Sequence, residues 1–85
     1  MAIELLYFAW VREAIGVGNE RVDPPGPIIT VEDLIGWLAG RSEGHARAFA
    51  EKSRVRAAVD QHFVPLASPI AGAREIALFP PVTGG

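Results

Sequence analysis

The sequence predicts an α+β domain in which a mixed sheet of about five strands packs on one main helix, with a second short helix beside it. Three features of the chain predict it. Short runs of β-forming residues with two-residue alternation stand at both ends, one strongly amphipathic helix lies between them, and brief Gly- and Pro-containing segments separate the pieces. The 85 residues, 49% of them hydrophobic, suffice for one core and are too few for a catalytic cleft between two domains.

Ile3 to Trp10 is almost wholly apolar and reads as the first strand. Ile3, Leu5 and Tyr7 fall on one side of it, and Glu4, Leu6, Phe8 and Trp10 on the other. Glu4 marks the second side as outward, which leaves Leu6 and Phe8 on a face that water reaches. Val11 to Ile15 reads as a short helical turn stopped by Gly16, after which Gly18-Asn19 turns the chain into a second strand at Glu20 to Val22. Gly16-Val17-Gly18 lacks the third glycine and the strand-to-helix setting of a dinucleotide fingerprint, so it is a turn. Asp23-Pro24-Pro25-Gly26-Pro27 cannot continue a ladder and is a loop.

Thr30 is placed to cap the clearest helix, with Glu32 and Asp33 in the first turn where the helix dipole favours acids. Val31, Leu34, Ile35 and Leu38 follow the i, i+3, i+4, i+7 spacing of one apolar stripe, and Gly40 stops it. Gly36 weakens the interior by up to about 1 kcal/mol relative to Ala, so packing holds this helix more than propensity does. Trp37 lies off the stripe and covers the edge of the core. Arg41 to Lys52 leads through a polar connection into the second helix, whose apolar face is Ala46, Phe49 and Ala50. Val55, Ala57 and Val59 alternate with Arg54, Arg56 and Ala58 as a half-buried strand. Asp60-Gln61 turns it into a hairpin of open turn type, with His62 to Pro65 returning. Ser68 to Gly72 is a loop, and Glu75 to Phe79 is the last strand, with Ile76 and Leu78 on one face and Ala77 and Phe79 on the other.

This order of strand, strand, helix, short helix, strand, short strand, strand matches the ubiquitin-like β-grasp, with the first and last strands parallel and adjacent at the sheet centre. Residues 1–79 make up the domain and 80–85 an extended tail, because Pro80 and Pro81 lack an N–H and do not prolong strand pairing. The outward face collects Phe8, Phe79 and, from the short strand, Phe63. A contiguous aromatic patch beside a tail reads as a docking surface for a partner.

Composition narrows the function. The net charge is −2 and the eight basic residues are spread along the sequence, so no electrostatic footprint for nucleic acid or a membrane surface is expected. There is no apolar run near the roughly 20 residues that span a bilayer, and Met1 to Trp10 lacks the marks of a signal peptide, so a cytoplasmic protein is expected. The absence of cysteine removes disulfides, thiolate metal sites and Cys nucleophiles. His45 and His62 lie in different elements and read as ordinary polar positions with no metal to hold. Ser42, Ser53 and Ser68 have no base beside them in sequence. The body carries no acid–base constellation, and an enzyme acting by itself is not expected. The remaining chemistry sits in the last residues: Gly84 and Gly85 have no Cβ and fit a slot too narrow for side chains, and Gly85 can offer its terminal carboxylate.

In Tyr7-Phe8-Ala9-Trp10-Val11-Arg12-Glu13, in Ala57-Ala58-Val59-Asp60-Gln61, and above all in Glu75-Ile76-Ala77-Leu78-Phe79-Pro80-Pro81-Val82-Thr83-Gly84-Gly85, the chain resembles the family of small, sulfur-carrying subunits of molybdopterin synthase. The resemblance implies that an ATP-dependent adenylyltransferase related to ubiquitin-activating enzymes forms an acyl-adenylate on Gly85. A sulfur donor protein then displaces the adenylate to leave a thiocarboxylate. It further implies that Pro80, Pro81, Val82, Thr83 and Gly84 thread into the large catalytic subunit, in a heterotetramer, where the sulfur passes to cyclic pyranopterin monophosphate in molybdenum cofactor biosynthesis. Phe8, Phe63 and Phe79 match the family's docking patch. No cofactor is implied for the chain itself; ATP belongs to the activating partner. Asp60-Gln61-His62 stands where relatives often have Asn first, and the 24–27 proline loop is a departure from the family pattern. A thiamine-thiazole type sulfur carrier and a non-catalytic ubiquitin-like interaction module are the alternative readings; the first is usually shorter and lacks the Phe-Pro-Pro-Val-Thr lead-in.

Overall fold

The computed structural model describes residues 2–81. In chain order the elements are β1 (Ile3–Tyr7), α1 (Ala9–Ile15), β2 (Asn19–Val22), α2 (Val31–Ala39), α3 (Glu43–Ala48), a 3-10 turn (Lys52–Arg54), β3 (Arg56–Val59), β4 (His62–Val64) and β5 (Glu75–Phe79). The strands form one five-stranded sheet in the order β2-β1-β5-β3-β4. β1 and β5 run parallel with Tyr7 opposite Leu78, and the other pairings are antiparallel. This is the ubiquitin-like β-grasp, with the last strand near the centre of the sheet.

Two-residue alternation decides what each strand buries. Ile3, Leu5 and Tyr7 of β1 and Ile76 and Leu78 of β5 point inward and join Val22, Val55 and Ala57 in one core. α2 seals it with Val31, Leu34, Ile35 and Leu38, the stripe that the sequence spacing predicts. Its start is a complete capping box: Asp33 N donates to Thr30 Oγ1 at 3.1 Å, and Thr30 N donates back to Asp33 Oδ2 at 3.1 Å. Trp37 is partly buried at the edge of this core, with the Arg41 guanidinium 5.0 Å from its ring centroid.

Three expectations are corrected. β1 ends at Tyr7 rather than Trp10, because Ala9 takes a left-handed φ of 54° and throws the chain off the sheet into α1. Trp10 therefore belongs to a helix and packs half-buried against the core instead of facing outward from the strand. α3 does not bury Ala46, Phe49 and Ala50 as a set. Gly44, His45, Ala48 and Phe49 go inward while Ala46 and Ala50 stay exposed. The reason is a close crossing: a Cβ at Gly44 would lie 2.4 Å from the Ala14 carbonyl oxygen of α1, so only glycine lets the two helices meet. Third, His45 is no ordinary polar position but a buried one. The open question of the hairpin turn is also settled: Asp60 and Gln61 both take positive φ, 49° and 71°, the signature of a type I′ turn.

Candidate functional site

The outward residues of four strands meet in register. Leu6 lies opposite Ala77, Ala77 opposite Ala58, and Ala58 opposite Phe63, which gives one continuous row across β1, β5, β3 and β4. Small alanines in the middle and large residues at the ends make a shallow groove floored by Ala58 and Ala77. Its walls are Leu6, Phe8, Phe63 and Phe79, and Gln61 and Glu75 form part of its rim.

The structure brings together all three aromatics singled out from the sequence. Phe63 is 81% exposed and Phe8 48% exposed, while Phe79 is half-buried with its ring centroid 5.6 Å from that of Phe63. Neither α2 nor α3 covers them. Phe8 owes its position to the N-terminus of α1: it is the N-cap residue, extended at φ −129°, its N–H still bonded to Leu78 O at 3.3 Å, immediately before the left-handed Ala9. The groove is open apolar surface next to the point where β5 ends at Phe79, and such surface is suited to burying a partner's side chains. Pro80 and Pro81 follow, half-buried. Val82, Thr83, Gly84 and Gly85 lie outside the described residues, and so the predicted chemical site does as well.

At the other end of the groove the β3–β4 turn is fastened to β5. Asp60 Oδ1 accepts from Arg74 N and Glu75 N, each at 3.0 Å, and Asp60 N donates to Glu75 O at 2.8 Å. An Asp that tolerates positive φ and reaches two backbone donors fixes the register of β4 and with it the position of Phe63.

On the inner side the fold builds a polar network that sequence reasoning missed. Glu20 Oε2 accepts from the Tyr7 hydroxyl at 2.7 Å and meets His45 Nε2 at 2.6 Å, and Arg41 lies 3.7 Å from Oε1. His45 Nδ1 in turn meets Ser42 Oγ at 2.7 Å. Burial pushes the Glu20 carboxyl up, but the Tyr7 and His45 hydrogen bonds and the His45 and Arg41 charges prevail and hold it below the ordinary carboxyl value. Burial, aided by the hydrogen bond to Glu20, pushes the Tyr7 phenol well above its usual range. Ser42, His45 and Glu20 stand in the order of a hydrolase relay, yet Ser42 Oγ also accepts from His45 N at 3.1 Å as the cap of α3. The network is a clamp joining β1, β2 and α3. Among the described residues no group of three or more His, Cys, Asp or Glu is placed to hold a metal, and no helix is long and apolar enough to cross a membrane.

Residues 5–85 match the family model described as the ThiS family. The chain is 41% identical over 83 residues to the molybdopterin synthase sulfur carrier subunit of Escherichia coli (strain K12), covering 98% of this chain and 99% of that one. It is 37% identical, with the same coverage, to the protein of the same name from Haemophilus influenzae. Among solved structures it superposes on the putative molybdopterin converting factor, subunit 1, from Pyrococcus furiosus with a TM-score of 0.73 at 26% identity, over 96% of this chain and 99% of that one. The matched length takes in the whole sheet, the groove and the Gly84-Gly85 end, and on these grounds the chain belongs to the ThiS family, together with the sulfur carrier subunits of molybdopterin synthase.

Proposed function

We propose that this protein is the sulfur carrier of a molybdopterin synthase: a non-catalytic subunit that docks through the Phe8–Phe63–Phe79 groove and carries sulfur on Gly85. The observation that carries the reading is the groove itself. It is open apolar surface on the strand that leads into Pro80-Pro81-Val82-Thr83-Gly84-Gly85, in a chain that matches named sulfur carrier subunits over nearly their whole length.

The chemistry follows from the terminal group. A carboxylate with a reference pKa of about 3.5 is ionised at neutral pH and resists nucleophiles, because oxide is its leaving group. An activating adenylyltransferase joins a Gly85 carboxylate oxygen to the α-phosphorus of ATP and releases pyrophosphate. The outer sulfur of a persulfide on the sulfur donor protein then attacks the acyl carbon and AMP departs. A second thiol attacks the inner sulfur of the resulting acyl disulfide, so that the donor leaves as a disulfide and the thiocarboxylate remains on Gly85. Pro80 to Gly84 thread this group into the large subunit, which uses it to build the dithiolene on cyclic pyranopterin monophosphate. The carrier's residues bind, orient and present; the partners supply the catalytic groups.

Intact-mass measurement after incubation with the activating enzyme, ATP and a sulfur donor tests the reading. The expected result is the mass gain of one oxygen replaced by sulfur, abolished by deletion of Gly85. An unchanged mass with active partners would exclude the sulfur carrier and leave an interaction module.

A further inference from the structure

A second depression is lined by Trp10, Arg47, Ala48, Ala50, Glu51 and Arg54. Its two basic residues, seven positions apart, come from different elements, Arg47 from α3 and Arg54 from the 3-10 turn, with Trp10 supplied by α1 and one acid, Glu51, between them in the lining. The Arg54 guanidinium stands 5.7 Å from the Trp10 ring centroid. Arg56 begins β3 directly opposite Phe79, and its Nη1 donates to Ser53 O at 2.9 Å and Val55 O at 3.1 Å, which ties the 3-10 turn to the strand. The ion pairs among the described residues join Arg21 to Glu4, Arg41 to Glu20 and His45 to Glu20, so Arg47 and Arg54 have no carboxylate within pairing distance there. At the opposite end of the sheet Glu4 lies beside Glu75 and Asp60 binds the Glu75 backbone, with Arg21 and Arg74 among them. Guanidinium groups thus stand at both ends of the sheet, and near the Phe79 end of β5 two of them share a depression with an indole.

Guanidinium groups beside an indole suit one kind of ligand. They pair with carboxylates in a planar, two-pronged geometry and hold that geometry when stacked on an aromatic ring. Arg54 lies two residues before Arg56, the partner of Phe79 in the sheet, so a protein that covers the apolar groove and the end of β5 comes close to this pocket as well. We propose that the Trp10–Arg47–Arg54 pocket is a second docking site, filled by an acidic segment of the large subunit that receives the tail. The proposal rests on the sulfur-carrier reading above. The groove supplies apolar burial, and the pocket supplies electrostatic steering and the angular register of the tail.

The test is the affinity of the full-length chain for purified large subunit, measured calorimetrically at low and high salt. Arg47→Glu with Arg54→Glu is expected to weaken binding by about tenfold or more at low salt, with the gap narrowing as salt rises. Arg21→Glu with Arg74→Glu makes the same charge change at the opposite end and is expected to stay within about twofold of wild type. Arg54→Gln, which removes the charge without reversing it, should show a smaller loss with an unchanged thermal midpoint. Equal weakening by the two double variants, or none by the first, would overturn the second site while leaving the sulfur-carrier reading standing. Failure of the wild type to bind would remove both.

Discussion

The two faces of β1 and β5 are written in alternate residues of the same strands, yet they are built to different ends. Leu5, Tyr7, Ile76 and Leu78 are at most 1% exposed, whereas their neighbours Leu6, Ala77 and Phe79 are half-buried and Phe8 is half-exposed. The inner face is closed by α2 and clamped by the Tyr7–Glu20–His45 hydrogen bonds. The outer face has large apolar groups at its margins and alanines at its middle, a shape suited to receiving another surface. On the proposed reading of the groove, folding and docking are therefore separable by one residue step along a strand. A single substitution can address either.

Adjacent residues give the sharpest way to break this separation. Leu78→Ala empties a fully buried site and is expected to cost about 2–5 kcal/mol of stability, enough to unfold much of a small domain. Phe79→Ala removes a half-buried ring and is expected to cost about 1 kcal/mol, while weakening large-subunit binding more than it weakens folding. Urea unfolding and partner titration on both variants check this. Equal losses of stability would place Phe79 in the core and end the distinction between the faces.

Much of this arrangement was legible in the chain. The Thr30 cap, the α2 stripe and the alternation of β5 are local patterns, and local patterns survive into the fold because nothing overrides them. The aromatic groove was legible for the same reason: placing Leu6 and Phe8 outward needs only the period of a strand. The left-handed turn at Ala9 was not, because alanine has no preference for positive φ and the turn is set by its surroundings, with Phe8 bonded to Leu78 on one side and Val11 buried on the other. The clamp was equally hidden, since Glu20 is 13 residues from Tyr7 and 25 from His45 and each alone looks like an ordinary polar residue. The Arg47–Arg54 pocket was read as scattered charge, which is what it is until α3 and the 3-10 turn bring it beside Trp10.

The clamp makes a prediction about pH. In the folded chain Glu20 is held below its ordinary value of 4.5, and the Asp33 carboxyl, which accepts from the Thr30 and Ile29 backbone N–H groups, lies below its ordinary 3.8. The unfolded chain therefore takes up these protons first. The stabilisation is complete above the unfolded values and is lost as pH falls through the folded ones. Tyr7 works in the opposite sense: the folded phenol keeps its proton while the unfolded one ionises near its ordinary value of 10.0, so stability falls as pH rises past that point. Urea midpoints from about pH 7 to about pH 3 should show wild type losing stability, and Glu20→Gln starting lower with a shallower acid decline. Identical slopes would show that the clamp carries no linked protons. Phe63 packs against Phe79 on the outer face and touches neither Glu20 nor Asp33, so Phe63→Ala should leave the slope unchanged.

The smallest expected effect concerns the helix that closes the inner face. Gly36 interrupts α2 at a position that the sequence leaves unexplained, and a Cβ there would meet Lys52 Nζ at 3.5 Å, an ordinary contact with the end of a flexible side chain. Its backbone does not need positive φ, so glycine is not required by conformation. Gly36→Ala should therefore stabilise the domain by up to about 1 kcal/mol through helix propensity and a less flexible unfolded chain. The gain should appear in the thermal midpoint and leave partner affinity untouched, since α2 packs behind the sheet and the groove lies in front. A change in affinity with this substitution would mean that the two faces communicate through the core. A loss of stability would mean that the Lys52 side chain cannot give way, and that Gly36, like Gly44, is a packing glycine.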